Sequence, residues 1–281
     1  MLSAPLFYYY CKELKLQMEL NKIWNESNDV TMREHIDEKS IDLVLTSPPY
    51  NLARVGKKQR HTVSYDEFSD NLPVEDYCKW IVSIFQLFDR ILKKDGVILW
   101  NANYNVEKVE GELWLSIADV IRQTPFMIMD QMIWEKKVGL PITQQNKLTR
   151  LCENVFIFAR REEQKTFKMN KEYSSTSHTG QHYYKPVNNI IKAANNDEVC
   201  ELNSANYSTD LCYKLLRLYA PENSIVYDPF MGTGTTAVAC KNMGLTYIGS
   251  ELSAKQCEWA ENRLLYGKGS VDKGPDKRSL F

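Results

Sequence analysis

The stretch IVYDPFMGTGTTAVAC, Ile225–Cys240, decides how this chain folds. Its first residues are apolar and branched, as in a buried strand, and Pro229 stops that strand after Asp228 because proline cannot donate to a sheet ladder. Gly232 and Gly234 allow a tight turn. A helix begins near Thr235, and TYIGSEL, 246–252, is the next strand. Working outward, further short apolar runs read as strands: LNKIW (20–24), IDLVL (41–45), GVILW (96–100), FMIMDQMIW (126–134) and NVFIFAR (154–160), the last two as neighbours. EDYCKWIVSIFQLFDRIL, STDLCYKLLRLYA and SAKQCEWAENRLLYG have helical spacing. Strands alternating with helices predict an α/β fold: a Rossmann-like, mostly parallel sheet of about seven strands with helices on both faces.

Two stretches carry chemistry. The glycine turn lies between a strand ending in Asp228 and a helix start, which offers free N–H groups and partial positive charge. Roughly twenty residues later Glu251 ends the next strand, placed to accept both hydroxyls of a ribose. The turn is neither G-x-G-x-x-G nor a phosphate loop, since no Gly-Lys-Ser/Thr follows. The second stretch is LVLTSPPYNLARVGKKQRH, Leu43–His61. The strand must end at Thr46, and the proline pair then holds the backbone stiff and extended. Ser47 and the Tyr50 ring are presented at a strand end, followed by Arg54, Lys57, Lys58, Arg60 and His61.

The chain has 281 residues, is 43% hydrophobic and 25% charged, and carries a net charge of −1. A polycation is excluded, so any nucleic-acid surface must be a local patch. Seven cysteines with no C-x-x-C pair predict a reducing, cytoplasmic setting, and four histidines show no zinc spacing. No apolar run reaches membrane-spanning length, and no signal peptide is read at the start.

TSPPY, DPFMGTGTT and YIGSEL together resemble the S-adenosylmethionine-dependent amino-methyltransferases of DNA. With Ser-Pro-Pro-Tyr ahead of the glycine element and a polar insert between, the order is that of the permuted beta class. The resemblance spans roughly 20 to 266. It implies S-adenosylmethionine as cofactor, contacted by Asp228, Pro229, Phe230, Gly232, Gly234, Thr235 and Glu251. LNKIWNESND resembles the strand and turn that contact the cofactor adenine, with Ser27 where the family usually has Asp. LNSANYSTDLCYKLL resembles an element written His-Pro-Ala-x-Phe-Pro; Ala205 matches, Asn203 and Ser204 replace His-Pro, and Tyr207 stands for Phe.

In this resemblance Ser47, Pro48, Pro49 and Tyr50 are catalytic. The exocyclic amine of a base is a poor nucleophile because its lone pair is conjugated into the ring. Acceptors for its hydrogens, Ser47 Oγ and the Pro48 carbonyl, free that lone pair. Tyr50 stacks on a base that has left the duplex, and transfer is a direct displacement governed by positioning. No Pro-Cys dipeptide is present, as the carbon-5 cytosine enzymes would need. Arg54, Lys57, Lys58, Arg60 and His61, together with Lys165, Lys168, Lys171, Tyr183 and Lys185, are DNA-contact candidates.

The residue before Pro-Pro-Tyr is Ser47, commoner in the N4-cytosine branch, so cytosine is favoured and N6-adenine is the alternative. An RNA or protein methyltransferase, in which the glycine element normally comes first, and a non-catalytic DNA-binding protein rank lower. The expected organisation is an N-terminal extension (1–19), a catalytic half (20–161), a target-recognition insert (162–203), a cofactor half (204–266) and a flexible tail (267–281). Double-stranded DNA is the implied partner; the resemblance also admits a homodimer and a cognate restriction nuclease, and implies no membrane.

Overall fold

Strand lengths and branching place the main sheet where the apolar runs fall. The computed structural model describes residues 18–51, 72–102, 112–139, 141–143, 145, 148–197 and 207–267. The strands are β1 (Lys22–Trp24), β2 (Ile41–Thr46), β3 (Leu92–Ala102), β4 (Phe126–Lys136), β5 (Cys152–Arg160), β6 (Tyr173–Thr176), β7 (His182–Tyr184), β8 (Ile190–Ala193), β9 (Ile225–Asp228) and β10 (Thr246–Ser250). The longer helices are α1 (Val74–Ile91), α2 (Glu112–Gln123), α3 (Thr209–Tyr219), α4 (Thr235–Met243) and α5 (Ala254–Tyr266). Eight strands form one sheet in the order β1-β10-β9-β2-β3-β5-β4-β8, while β6 and β7 pair separately. Only β5 in that sheet runs against its neighbours, pairing antiparallel with β3 and β4. The eighth strand, β8, exceeds the expected seven; it comes from the polar segment 162–203 and pairs parallel with β4.

The connections explain where the helices sit. From β2, the chain passes through α1 to β3 on one side; from β9, it passes through α4 to β10 on the other. Right-handed crossovers stepping in opposite directions put their helices on opposite faces. Accordingly Tyr77, Ile81, Phe85 and Phe88 of α1 pack with Val44, Ile98, Trp100, Phe158 and Tyr227 on one face. Leu211 and Leu215 of α3, Ala237 of α4 and Ala260 of α5 pack with Leu43, Leu45, Leu99 and Val226 on the other. Between β9 and β2 the order reverses, which is where open α/β sheets leave a crevice beyond their strand ends.

One buried cation fastens α1 to the sheet. Arg160, 4% exposed, ends β5. Its Nε donates to Asp89 Oδ1 (2.8 Å), and its two terminal nitrogens donate to the carbonyls of Asp89, Leu92, Lys93 and Lys94. These include carbonyls that a helix end leaves without intrahelical partners. Arg160→Ala is expected to lower stability by about 3 kcal/mol, measured from the midpoint of urea unfolding. A loss below about 1 kcal/mol would mean that water takes over these carbonyls.

Candidate active site

The two informative stretches leave the sheet side by side. β2 and β9 are parallel neighbours, and at their ends Thr46 Oγ1 donates to Asp228 Oδ1 at 2.7 Å. Ser47 and Pro229 are the next residues of each strand, so the Ser-Pro-Pro-Tyr element and the glycine turn start from one point. Pro48 and Pro49 are buried, whereas Ser47 and Tyr50 are half-buried. The Tyr77 hydroxyl of α1 donates to the Pro49 carbonyl at 2.9 Å. Asn51 follows in the left-handed region, φ 54°, and its side chain clasps Leu72, donating to its carbonyl (2.9 Å) and accepting from its N–H (2.7 Å). Asparagine tolerates that backbone conformation better than most residues.

Behind Ser47 stands a polar cluster that sequence reading did not single out. Asn101 at the end of β3, Glu153 near the start of β5 and Lys136 at the end of β4 meet there. Ser47 Oγ lies 2.8 Å from Tyr50 Oη. Asn101 Nδ2 donates to Tyr50 Oη (2.9 Å) and to Glu153 Oε2 (2.9 Å), with Ser47 Oγ at 3.4 Å. Tyr50 Oη reaches Glu153 Oε2 at 3.3 Å, and Glu153 is ion-paired with Lys136. Asn101 and Glu153 are 3% and 6% exposed, and Asn101 Oδ1 has no hydrogen-bond partner among the described residues. The three are polar residues at strand ends, which was their only signal in the sequence.

On the other side of the crevice, three turns converge on Glu251. Its Oε2 accepts from the Gly232 N–H at 2.8 Å and its Oε1 from the Ser253 N–H at 2.9 Å. Asn25, beyond β1, donates its side-chain amide to the carbonyls of Glu251 (2.9 Å) and Leu252 (2.8 Å). Ser27 follows at the N-cap of a short helical turn. Gly232 and Gly234 adopt φ 55° and 83°, and a Cβ on Gly234 would stand 2.7 Å from that of Ala260, so glycine is required there both for conformation and for packing α4 on α5. The half-buried Phe230 ring packs against Trp80 and Trp100. Pro229 and Thr235 are buried.

Asp228 is spent internally. Its carboxylate accepts from Thr46, Thr236, Tyr207 and the Phe230 N–H at 2.6–3.1 Å, and it is 1% exposed. Burial raises its carboxyl above the usual range, against the lowering effect of those donors. The phenol that replaces the family's Phe, Tyr207, supplies one of them and lies 2.6 Å from Thr236 Oγ1. Asp228 thus locks β2, β9 and α4 together.

The cationic candidates fall on two segments of the chain. Arg54, Lys57, Lys58, Arg60, His61 and Ala205 lie outside the described residues. Lys165, Lys168, Tyr183 and Lys185 are exposed, Lys171 is half-buried, and Lys185 pairs with Glu172. The β6–β7 ribbon holds Tyr173, Tyr183 and Tyr184 in solvent. The segment entering it is fixed at the far end of α3, where Asn170 bonds the carbonyls of Leu218 and Ala220. That is the end of the sheet where β9 begins, so the ribbon is not rooted beside Ser47.

The family model N6/N4 methyltransferase, described as DNA methylase, matches residues 41–262, from β2 into α5. This chain is a DNA methylase of that family. The methylase is 26% identical over 283 residues to the type II methyltransferase M.BglII of Bacillus subtilis, across 94% of its own length and 72% of the relative's. It is 27% identical over 264 residues to the orphan methyltransferase M.BamHII of Bacillus amyloliquefaciens, covering 83% and 92%. Its fold is similar to that of the PvuII DNA methyltransferase, which is cytosine-N4-specific (TM-score 0.66, 15% identity, 94% and 90% covered). It is also similar to M1.HpyAVI, solved as a complex with SAM (TM-score 0.55, 19% identity, 86% and 98% covered). The methylase takes S-adenosylmethionine as its cofactor, and the residues present fit that molecule. A partly exposed carboxylate, Glu251, keeps acceptor capacity for a diol, and the turn before α4 presents backbone N–H groups. No described helix is long and apolar enough to cross a membrane.

Proposed function

We propose that the methylase transfers the methyl group to the exocyclic amine of a base taken out of duplex DNA, N4 of cytosine in preference to N6 of adenine. The observation that carries this reading is Ser47. It stands at the end of β2 with its hydroxyl engaged by Tyr50 and Asn101, one hydrogen bond along the strand ends from the glycine turn. Bound S-adenosylmethionine supplies an electrophilic methyl group. Ser47 Oγ and the Pro48 carbonyl accept the amine hydrogens, and the Tyr50 ring stacks on the extruded base. Glu251 would hold the cofactor's ribose, Ser27 would stand by its adenine, and Phe230 in the glycine turn would contact it. The preference for cytosine rests on Ser47 standing where an acidic residue precedes Pro-Pro-Tyr in adenine enzymes.

In this reading residues 162–203 carry target recognition. Tyr183 of the β6–β7 ribbon and Lys165, Lys168, Lys171 and Lys185 beside it, with Arg54, Lys57, Lys58, Arg60 and His61, contact phosphates and bases of DNA that reaches beyond the Ser47 crevice. The test is incubation with unmethylated DNA and methyl-labelled S-adenosylmethionine, followed by mass spectrometry of the nucleosides. N4-methylcytosine is the expected product. N6-methyladenine would move the target to adenine, and no label in DNA with cofactor binding intact would move it to RNA or protein.

Tyr77 provides a milder check on the rigid Pro-Pro segment. Tyr77→Phe removes the donor to the Pro49 carbonyl. Stability should fall by about 1 kcal/mol and the transfer rate several-fold, with cofactor affinity unchanged. An unchanged rate would mean that the prolines hold the loop without help from α1.

A further inference from the structure

We infer that Glu153 sets the direction of the hydrogen-bond chain ending on Ser47, and so makes the Ser47 hydroxyl an acceptor toward the substrate amine. The inference rests on the reading of Ser47 as the amine's acceptor and adds the residue that enforces it. A serine hydroxyl can equally donate or accept, and one that donated toward the amine would draw on the lone pair that must attack. Something must therefore decide which way the proton of Ser47 points.

The geometry leaves two directions open. Among the described residues, Tyr50 Oη has one proton and two neighbours placed to take it, Ser47 Oγ at 2.8 Å and Glu153 Oε2 at 3.3 Å. If Tyr50 donates to Ser47, the serine proton turns outward. If Tyr50 donates to Glu153, the serine proton is drawn to Tyr50 Oη and the free lone pairs of Ser47 face the crevice. Glu153 is 6% exposed and ion-paired with Lys136. As a carboxylate it only accepts, and its charge in this dry position selects the second arrangement.

Asn101 is held in the same sense. Were its amide reversed, Oδ1 would face the Glu153 carboxylate at 2.9 Å, acceptor against acceptor; Glu153 thus fixes Nδ2 toward itself and Tyr50. With two protons from Asn101 and one each from Tyr50 and Ser47, the donors of these three side chains are used within the cluster among the described residues. What Ser47 then offers the crevice is acceptor capacity. Glu153 is in this sense a positioning residue, acting through Tyr50.

The test is Glu153→Gln, whose amide can donate to Tyr50 and reverse the chain at constant shape. Single-turnover methyl transfer should fall ~10²-fold, with S-adenosylmethionine affinity and KM for DNA within about twofold of the parent. Tyr50→Phe, which keeps the ring, should lose a similar factor. The double variant should lose little more, because both changes cut one chain. A structural role for Glu153 would instead give losses that multiply. Lys136→Met combined with Glu153→Gln removes both charges, and if Glu153→Gln alone fails to fold, this pair takes its place in the same cycle. A Glu153→Gln rate within about threefold of the parent, or losses that multiply with Tyr50→Phe, overturns the inference. Ser47→Ala in parallel separates the two readings. If it loses rate while Glu153→Gln does not, only the role of Glu153 is wrong; if it keeps its rate, the acceptor reading falls, and this inference with it.

Discussion

Ser47→Ala is expected to slow methyl transfer by ~10²- to 10³-fold while leaving S-adenosylmethionine affinity within about twofold. The size follows from the chemistry of an aromatic amine. Its lone pair is delocalised, and an acceptor at one hydrogen raises electron density on nitrogen chiefly as the methyl approaches. The interaction is thus stronger in the transition state than in the bound ground state and appears in kcat. Ser47 can be truncated cleanly. It is half-buried, its Oγ contacts only Tyr50 and Asn101 among the described residues, and Thr46 holds the strand end to Asp228 independently. Single-turnover kinetics with a saturating duplex, beside equilibrium binding of the cofactor, make the comparison. A rate retained within threefold would remove Ser47 from the reaction.

Glu251→Ala should weaken S-adenosylmethionine binding by about 10- to 100-fold, the worth of hydrogen bonds to a charged acceptor. Two causes must be separated. The carboxylate braces the glycine turn through the Gly232 N–H, so its removal loosens the cradle as well as deleting a ribose contact. S-Adenosylhomocysteine lacking both ribose hydroxyls distinguishes them. If Glu251 binds the ribose, the variant should discriminate little between the full and the deoxygenated ligand, whereas the parent should prefer the full one by the same 10- to 100-fold. An equal loss for both ligands would leave Glu251 as a brace only.

The parts legible in the sequence share a local signature. Asp228, the glycines and Glu251 follow one another within a single strand–helix–strand unit, so turn chemistry and strand ends place them without long-range knowledge. Ser47 was legible because two prolines mark the strand end. The reversed direction of β5 was not. NVFIFAR is equally apolar read either way, and pleat periodicity carries no polarity. β8 was hidden because IIKA is short and flanked by polar residues, its strand character coming from pairing with β4. The segment 162–203 therefore read as one insert, although Phe167 and Met169 pack on the core. Glu153, Asn101 and Lys136 were invisible for a related reason. Each is a lone polar residue, and its meaning lies in partners brought together by the sheet order.

The reversal of strand order between β9 and β2 has a consequence for descent. The two halves meet there through backbone pairing and the Thr46–Asp228 bond, not through chain continuity. At the outer edge, β1 lies beside β10, and α5 packs against β1 after leaving β10. A polypeptide made in the other order, α5 running directly into β1, would close the same strand–helix–strand step on the same face. Gene rearrangement could therefore exchange the order of the halves without moving Ser47 relative to Gly232. Selection acts on where strands end, and ancestry is free to shuffle which end is translated first.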